Sequence, residues 1–146
     1  AEEMLQAGRS LFPAADAALF AAAVSDLRPA QRLPGKAPKS ALPAALQLER
    51  TPDIAAELGA LKTDRQRTIG FSLGDDPDAI GAAEKMARKG LDAVILNPPA
   101  AIEADEAPYR YLAAGDPDPQ DWGRLTKRAC AARILDRLEL LLPPTA

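Results

Sequence analysis

Strand-like and helix-like segments alternate along this chain with short links, and three apolar runs stop at polar or turn-forming residues. The runs end at Ser25-Asp26, Phe71-Ser72 and Asn97-Pro98. Alternation of this kind demands a sheet whose parallel strands are joined by helices that pack on its faces. The chain is therefore expected to be an α/β protein: a Rossmann-like, three-layer parallel sheet with helices on both faces. In such sheets a ligand lies beyond the carboxyl ends of the strands.

The individual segments carry their own signals. Residues 1–9 read as a short helix. Pro13 to Val24 is ambiguous: its alanines favour a helix, whereas the polar stop at Ser25-Asp26 also allows a buried strand over Ala18–Val24. Arg28 to Pro43 contains Pro29, Pro34, Gly35 and Pro38, so it reads as an exposed loop. Leu46 and Leu48 alternate with Gln47 and Glu49 as a short half-buried strand. Thr51-Pro52-Asp53 opens a helix, with Thr as N-cap and Pro at the first position. Thr68–Leu73 and Leu91–Leu96 read as strands. Between them, Asp78–Lys89 forms a helix with Ile80, Ala83, Met86 and Ala87 inward, ended by Gly90. Tyr109–Leu112 reads as an edge strand. A loop over Gly115–Asp121 then leads to a helix from Leu125 to Leu142, with Cys130, Ile134, Leu138 and Leu141 as its inner stripe.

Composition narrows the function. At 146 residues the chain is a single domain, or part of one, able to bury a core. The net charge of −3 argues against nucleic acid as a partner, so phosphate binding must come from a local cluster of lysines. No apolar run approaches the roughly 18 residues that span a bilayer, so no membrane partner is expected. A single cysteine, Cys130, excludes an internal disulfide and fits a reducing, cytoplasmic setting. The absence of histidine removes the commonest general base and makes a zinc site improbable.

The candidate chemistry rests on cations and strand-end turns. Lys36 and Lys39 stand in the proline-rich loop. Lys85 and Lys89 are i and i+4 on one helix face, so two amines can reach one anion, although a solvated face is the plainer reading. Asp26 suits contact with a hydroxyl or amino group, or simple turn capping. The helix start at Thr51-Pro52-Asp53-Ile54 offers free N–H groups to an anion, or is a plain cap. Ala22 and Ala23 are small enough to lie against a nucleotide, or to fill a core. Phe71 reads as core packing. Asn97 reads as a turn residue before Pro98, and Trp122 and Cys130 read as packing.

Taken together, Ala21-Ala22-Ala23-Val24-Ser25-Asp26-Leu27-Arg28-Pro29, the Lys36-Ala37-Pro38-Lys39 loop, Leu46-Gln47-Leu48 through Thr51-Pro52-Asp53-Ile54, Gly70-Phe71, Lys85 through Lys89 with Asp92 and Asn97, and Thr126-Lys127 through Ile134-Leu135-Asp136 resemble the phosphopantothenate–cysteine ligase family. That family is the ligase domain of bifunctional coenzyme A biosynthesis flavoproteins. The chain departs from it at Leu27, where the family has an aromatic, at Pro38, where it has a lysine, and over Ser72–Asp76. There Asp75 or Asp76 would supply the missing acid. The family's opening glycine-rich and Ser-Ser-Gly segments are not found, so the N-terminal part of the domain is expected to be missing and the chain alone to turn over weakly or not at all.

The resemblance implies that the 4′-phosphopantothenate carboxylate attacks the α-phosphate of CTP or ATP, accompanied by Mg²⁺. Cysteine then displaces the nucleotide monophosphate. It implies Lys36 as the catalytic cation, with Ala22, Ala23, Asp26, Lys36, Pro52, Asp53, Ile54, Phe71, Lys85 and Lys89 around the nucleotide. It also implies a homodimer, and FMN only in a fused decarboxylase domain outside this chain. The alternative is a non-catalytic nucleotide-binding or structural domain derived from this family.

Overall fold

The computed structural model describes residues 1–31, 35, 45–74 and 79–144. Its first helix, α1 (Glu2–Leu11), leads through a 3₁₀ turn into β1 (Ala17–Phe20). Two short strands, β2 (Leu27–Pro29) and β3 (Leu48–Arg50), pair only with each other, antiparallel. Helix α2 (Ile54–Leu61), β4 (Arg67–Leu73), α3 (Ala79–Lys89) and β5 (Ala93–Asn97) follow. The chain closes with β6 (Glu106–Ala113), β7 (Gln120–Thr126) and α4 (Lys127–Leu141).

The main sheet has the order β1-β4-β5-β6-β7. Its first three strands are parallel, with Phe20 opposite Gly70 and Leu73 opposite Asn97. The α/β class and the helix layers on both faces hold, but the sheet is mixed: β6 and β7 are antiparallel to their neighbours. Tyr109–Leu112 belongs to an interior strand rather than an edge, because Gln120–Thr126 forms a further strand outside it. That strand hides in the sequence because only Trp122 and Leu125 turn inward. Gly123, at φ +71°, and the register shift between Tyr109 and Arg110 break its two-residue period.

Alternation along β5 divides the core. Ala93 and Ile95 join Ile69, Tyr109, Tyr111 and Trp122 under the α4 stripe Cys130, Ile134 and Leu138. Val94 and Leu96 face the other way, against Ala82 and Met86 of α3. Each fully buried aliphatic side chain in these layers contributes about 1.5–3 kcal/mol. A third cluster packs Leu5 and Phe12 against Ile54 and Leu58, seating α1 on α2. On α3, Met86 is buried and Ala83 half-buried as expected, but Ala87 is exposed and Ala82 takes the inward place; the side chain of Ile80 lies outside the described residues.

Several boundaries differ from the sequence reading, among them the start of α4, which is Lys127 rather than Leu125. The ambiguous stretch does contain a strand, but it stops at Phe20, and Ala21–Ala23 are exposed. Arg28 and Pro29, read as loop, belong to strand β2, and β3 is exposed rather than half-buried. The cap of α2 is Asp53, not Thr51: its Oδ1 accepts from the Ala56 N–H at 3.2 Å. Close helix packing sets the position of α3. A Cβ on Gly59 would lie 2.0 Å from the Lys89 carbonyl oxygen, so only glycine lets α2 approach α3 this closely.

Candidate functional site

The site grows from the turn after β1. Thr51, just before Pro52, donates its hydroxyl to the Ser25 carbonyl and its N–H to the Asp26 carbonyl at 3.0 Å. The Ser25 hydroxyl donates to the Leu27 carbonyl at 2.7 Å. Two segments 25 residues apart in sequence, Asp26 and Thr51-Pro52-Asp53, are thereby locked side by side.

Helix α3 brings the cations to them. It leaves the carboxyl end of β4, so Lys85 lies one turn nearer that end than Lys89. Lys89 Nζ bonds Asp53, at 3.0 Å to Oδ1 and 2.9 Å to Oδ2. Lys85 is half-buried and makes no hydrogen bond or ion pair among the described residues. Burial pushes its amine below the usual lysine range, and the charges of Lys89 and Arg88 push the same way. Asp53 and Asp26 oppose them. Desolvation would raise the Asp53 carboxyl, but the Lys89 hydrogen bond, the Ala56 N–H and the Lys89 charge outweigh it and hold it below its ordinary value.

The arrangement therefore gathers Asp26, Pro52, Asp53, Lys85 and Lys89, while changing the roles of some. Lys89 is committed to a carboxylate on the protein, so the two lysines are not an equivalent pair of free amines. The start of α2 already carries the Asp53 carboxylate, which makes it a weaker anion site than bare N–H groups would be. Ile54 is buried against α1, and Phe71 packs toward the α4 core. Ala22 and Ala23 are exposed, so they are not core residues. Lys36, Lys39, Pro38, Asp75 and Asp76 lie outside the described residues.

Two further groups stand out. Asn97, at the end of β5, has its Oδ1 buried with no donor among the described residues. It stands beside Leu73 in the register, and its backbone carbonyl accepts from the Gly74 N–H at 3.2 Å. Cys130 is buried and its thiol is pushed up by desolvation, the reverse of what a nucleophile needs. Among the described residues no group of three or more acidic, cysteine or histidine side chains could hold a metal ion. No described helix is long and apolar enough to cross a membrane.

Comparison with known proteins agrees with the family resemblance. A cysteine/cysteine sulfinic acid decarboxylase from an unknown prokaryotic organism is 38% identical over 97 residues, covering 66% of this chain and 27% of that protein. The coenzyme A biosynthesis bifunctional protein CoaBC of Haemophilus influenzae is 36% identical over 99 residues, covering 66% of this chain and 24% of that protein. The chain thus matches 24% to 27% of the length of these curated relatives. The crystal structure of the C-terminal domain of a CoaBC protein superimposes with a TM-score of 0.73 at 26% identity, over 97% of this chain and 64% of that one. The family described as the DNA/pantothenate metabolism flavoprotein C-terminal domain matches residues 1–141, and the chain belongs to that family.

Proposed function

We propose that this chain is a ligase domain of coenzyme A biosynthesis that joins 4′-phosphopantothenate to L-cysteine through an acyl-nucleotide. In the first step the pantothenate carboxylate attacks the α-phosphate of CTP or ATP and pyrophosphate leaves. In the second, the cysteine amine attacks the acyl carbon and the nucleotide monophosphate leaves. Such chemistry needs charge stabilisation and positioning more than a strong base, which suits a chain without histidine.

The observation that carries the proposal is Lys85. This half-buried amine has other cations beside it and, among the described residues, no carboxylate bonded to it, although burial favours a charge partner. A triphosphate supplies one. Lys85 would contact its oxygens, with Lys89 held in place by Asp53. Asp26 would take a sugar or base group, with Ala22, Ala23 and Pro52 alongside. Lys36, on the segment between β2 and β3, would stabilise charge developing at the α-phosphate. Magnesium would arrive on the triphosphate. The family's fold and strand-end motifs support this reading.

A nucleotide-binding module without catalysis is the second reading, favoured by the Lys89–Asp53 pair, which uses up one of the two amines. Titration of the 146-residue chain with Mg–CTP and with Mg–ATP, read as saturable thermal stabilisation, tests both. A shift with one nucleotide that Lys85→Ala abolishes supports the site, and no shift with either counts against it. Product formation that Lys36→Ala removes separates the ligase from the module.

A further inference from the structure

The β2–β3 ribbon joins the rest of the molecule in an unusual way. None of its side chains enters any of the three apolar clusters. On one face Leu27 and Leu48 remain 47% and 53% exposed. A two-stranded ribbon without a buried face is marginal in water. On the opposite face, Arg28 stands across from Glu49 in the register. Its guanidinium bonds Glu49, with Nε to Oε1 and Nη2 to Oε1 both at 2.6 Å, and also reaches the Glu2 carboxylate at the start of α1. Planar guanidinium geometry lets one side chain hold two carboxylates from different directions.

We infer that Arg28 is a positioning residue: it straps the ribbon to α1 and thereby fixes the Asp26–Thr51 junction at the ribbon's root. This rests on the proposed function, since Asp26 and Asp53 matter as binding groups only if the site binds a nucleotide. The route is short. Asp26 is two residues from Arg28, and its carbonyl accepts from Thr51, the residue after β3. Helix α1 is a firm anchor, because Leu5 packs beside Ile54 and Leu58 of α2 and Arg9 pairs with Glu57 at 2.7 Å. Strap and site are thus joined through α2 as well as along the ribbon.

Each exposed ion pair alone is weak, so the strap is expected to shift a local equilibrium rather than global folding. The discriminating variant is Glu2→Gln, which releases α1 and leaves the Arg28–Glu49 pair intact. Hydrogen exchange at the Ala30 and Thr51 amides is expected to quicken about fivefold in Glu2→Gln and in Arg28→Gln. Arg28→Lys, with one compact charge, is expected to recover only part of this protection. Mg–CTP or Mg–ATP affinity is expected to fall about threefold in Glu2→Gln while the melting temperature without nucleotide is unchanged. Unchanged exchange and affinity in Glu2→Gln, with the parent chain binding normally, would overturn the positioning role. A lowered melting temperature with unchanged affinity would overturn it too, leaving a structural tie only. No saturable binding by the parent chain would instead remove the functional reading and the positioning role with it, while exchange would still report whether the strap exists.

Discussion

The two ends of the parallel strands treat their polar groups in opposite ways. At the amino ends Lys62, Gln66, Thr68 and Asp92 are matched to one another or to neighbouring backbone and side-chain groups. Lys62 Nζ bonds Asp92 Oδ2 at 2.7 Å and the Gly90 carbonyl at 2.8 Å. The same Asp92 oxygen accepts from the Thr68 N–H at 2.7 Å. Gln66 donates to the carbonyls of Phe12 and Ala15 and accepts from Thr63. Toward the carboxyl ends, Lys85 and the Asn97 side-chain oxygen have no partner among the described residues. Two half-buried lysines, Lys62 and Lys85, thus differ in their surroundings among the described residues. A polar group satisfied within the protein serves folding, whereas a buried one with no partner among the described residues calls for an explanation of its own.

Breaking the matched end should have the largest effect. Asp92→Ala leaves a lysine that is 18% exposed without its carboxylate and removes the acceptor of the Thr68 N–H, at a cost of about 3 kcal/mol in urea unfolding. Nucleotide affinity of the folded fraction should hold. If Asp92→Ala instead spared stability and weakened binding, the contrast between the two ends would be lost.

Removing the unmatched group should do the reverse, with a smaller effect. Lys85→Met should lower nucleotide affinity about tenfold, close to 1.4 kcal/mol, without lowering stability at pH 7. Because folding depresses the Lys85 pKa, its charged form is penalised in the native state. That penalty is full below the folded-state value and fades as pH rises toward the ordinary 10.5. Any stability advantage of Lys85→Met should therefore disappear at alkaline pH, as thermal melts across pH would show.

The Asp53–Lys89 pair gives the smallest expected change. The Asp53 pKa is lowered on folding, so its contribution is present above the ordinary 3.8 and is lost as pH falls through the folded value. Asp53→Asn should be slightly less stable than the parent at pH 7, with the gap closing in acid. A gap that persisted at pH 2 would show that the cap geometry, not the charge, is what matters.

Some of this was open to reading in the linear chain. The α4 stripe Cys130, Ile134 and Leu138, the stop at Gly90 and the central strands β4 and β5 follow from local periodicity and glycine conformational freedom, which depend on near neighbours only. The candidate site was visible as residue types and, through its motifs, as a family. Its working arrangement was not. That Lys89 would be spent on Asp53 depends on how closely α2 packs on α3, which Gly59 permits only once both helices lie on the sheet.

The sequence by itself determined where regular segments form and which faces of them are apolar, because helix and strand periods are local properties of the backbone. Only the tertiary structure decided that β6 and β7 run antiparallel at one side of the sheet, that Asp53 rather than Thr51 caps α2, and that the ribbon is strapped to α1 through Arg28. Those outcomes depend on which groups meet across long separations in the chain. Competition for partners among hydrogen-bonding and charged groups is settled by packing, and packing has no local signature.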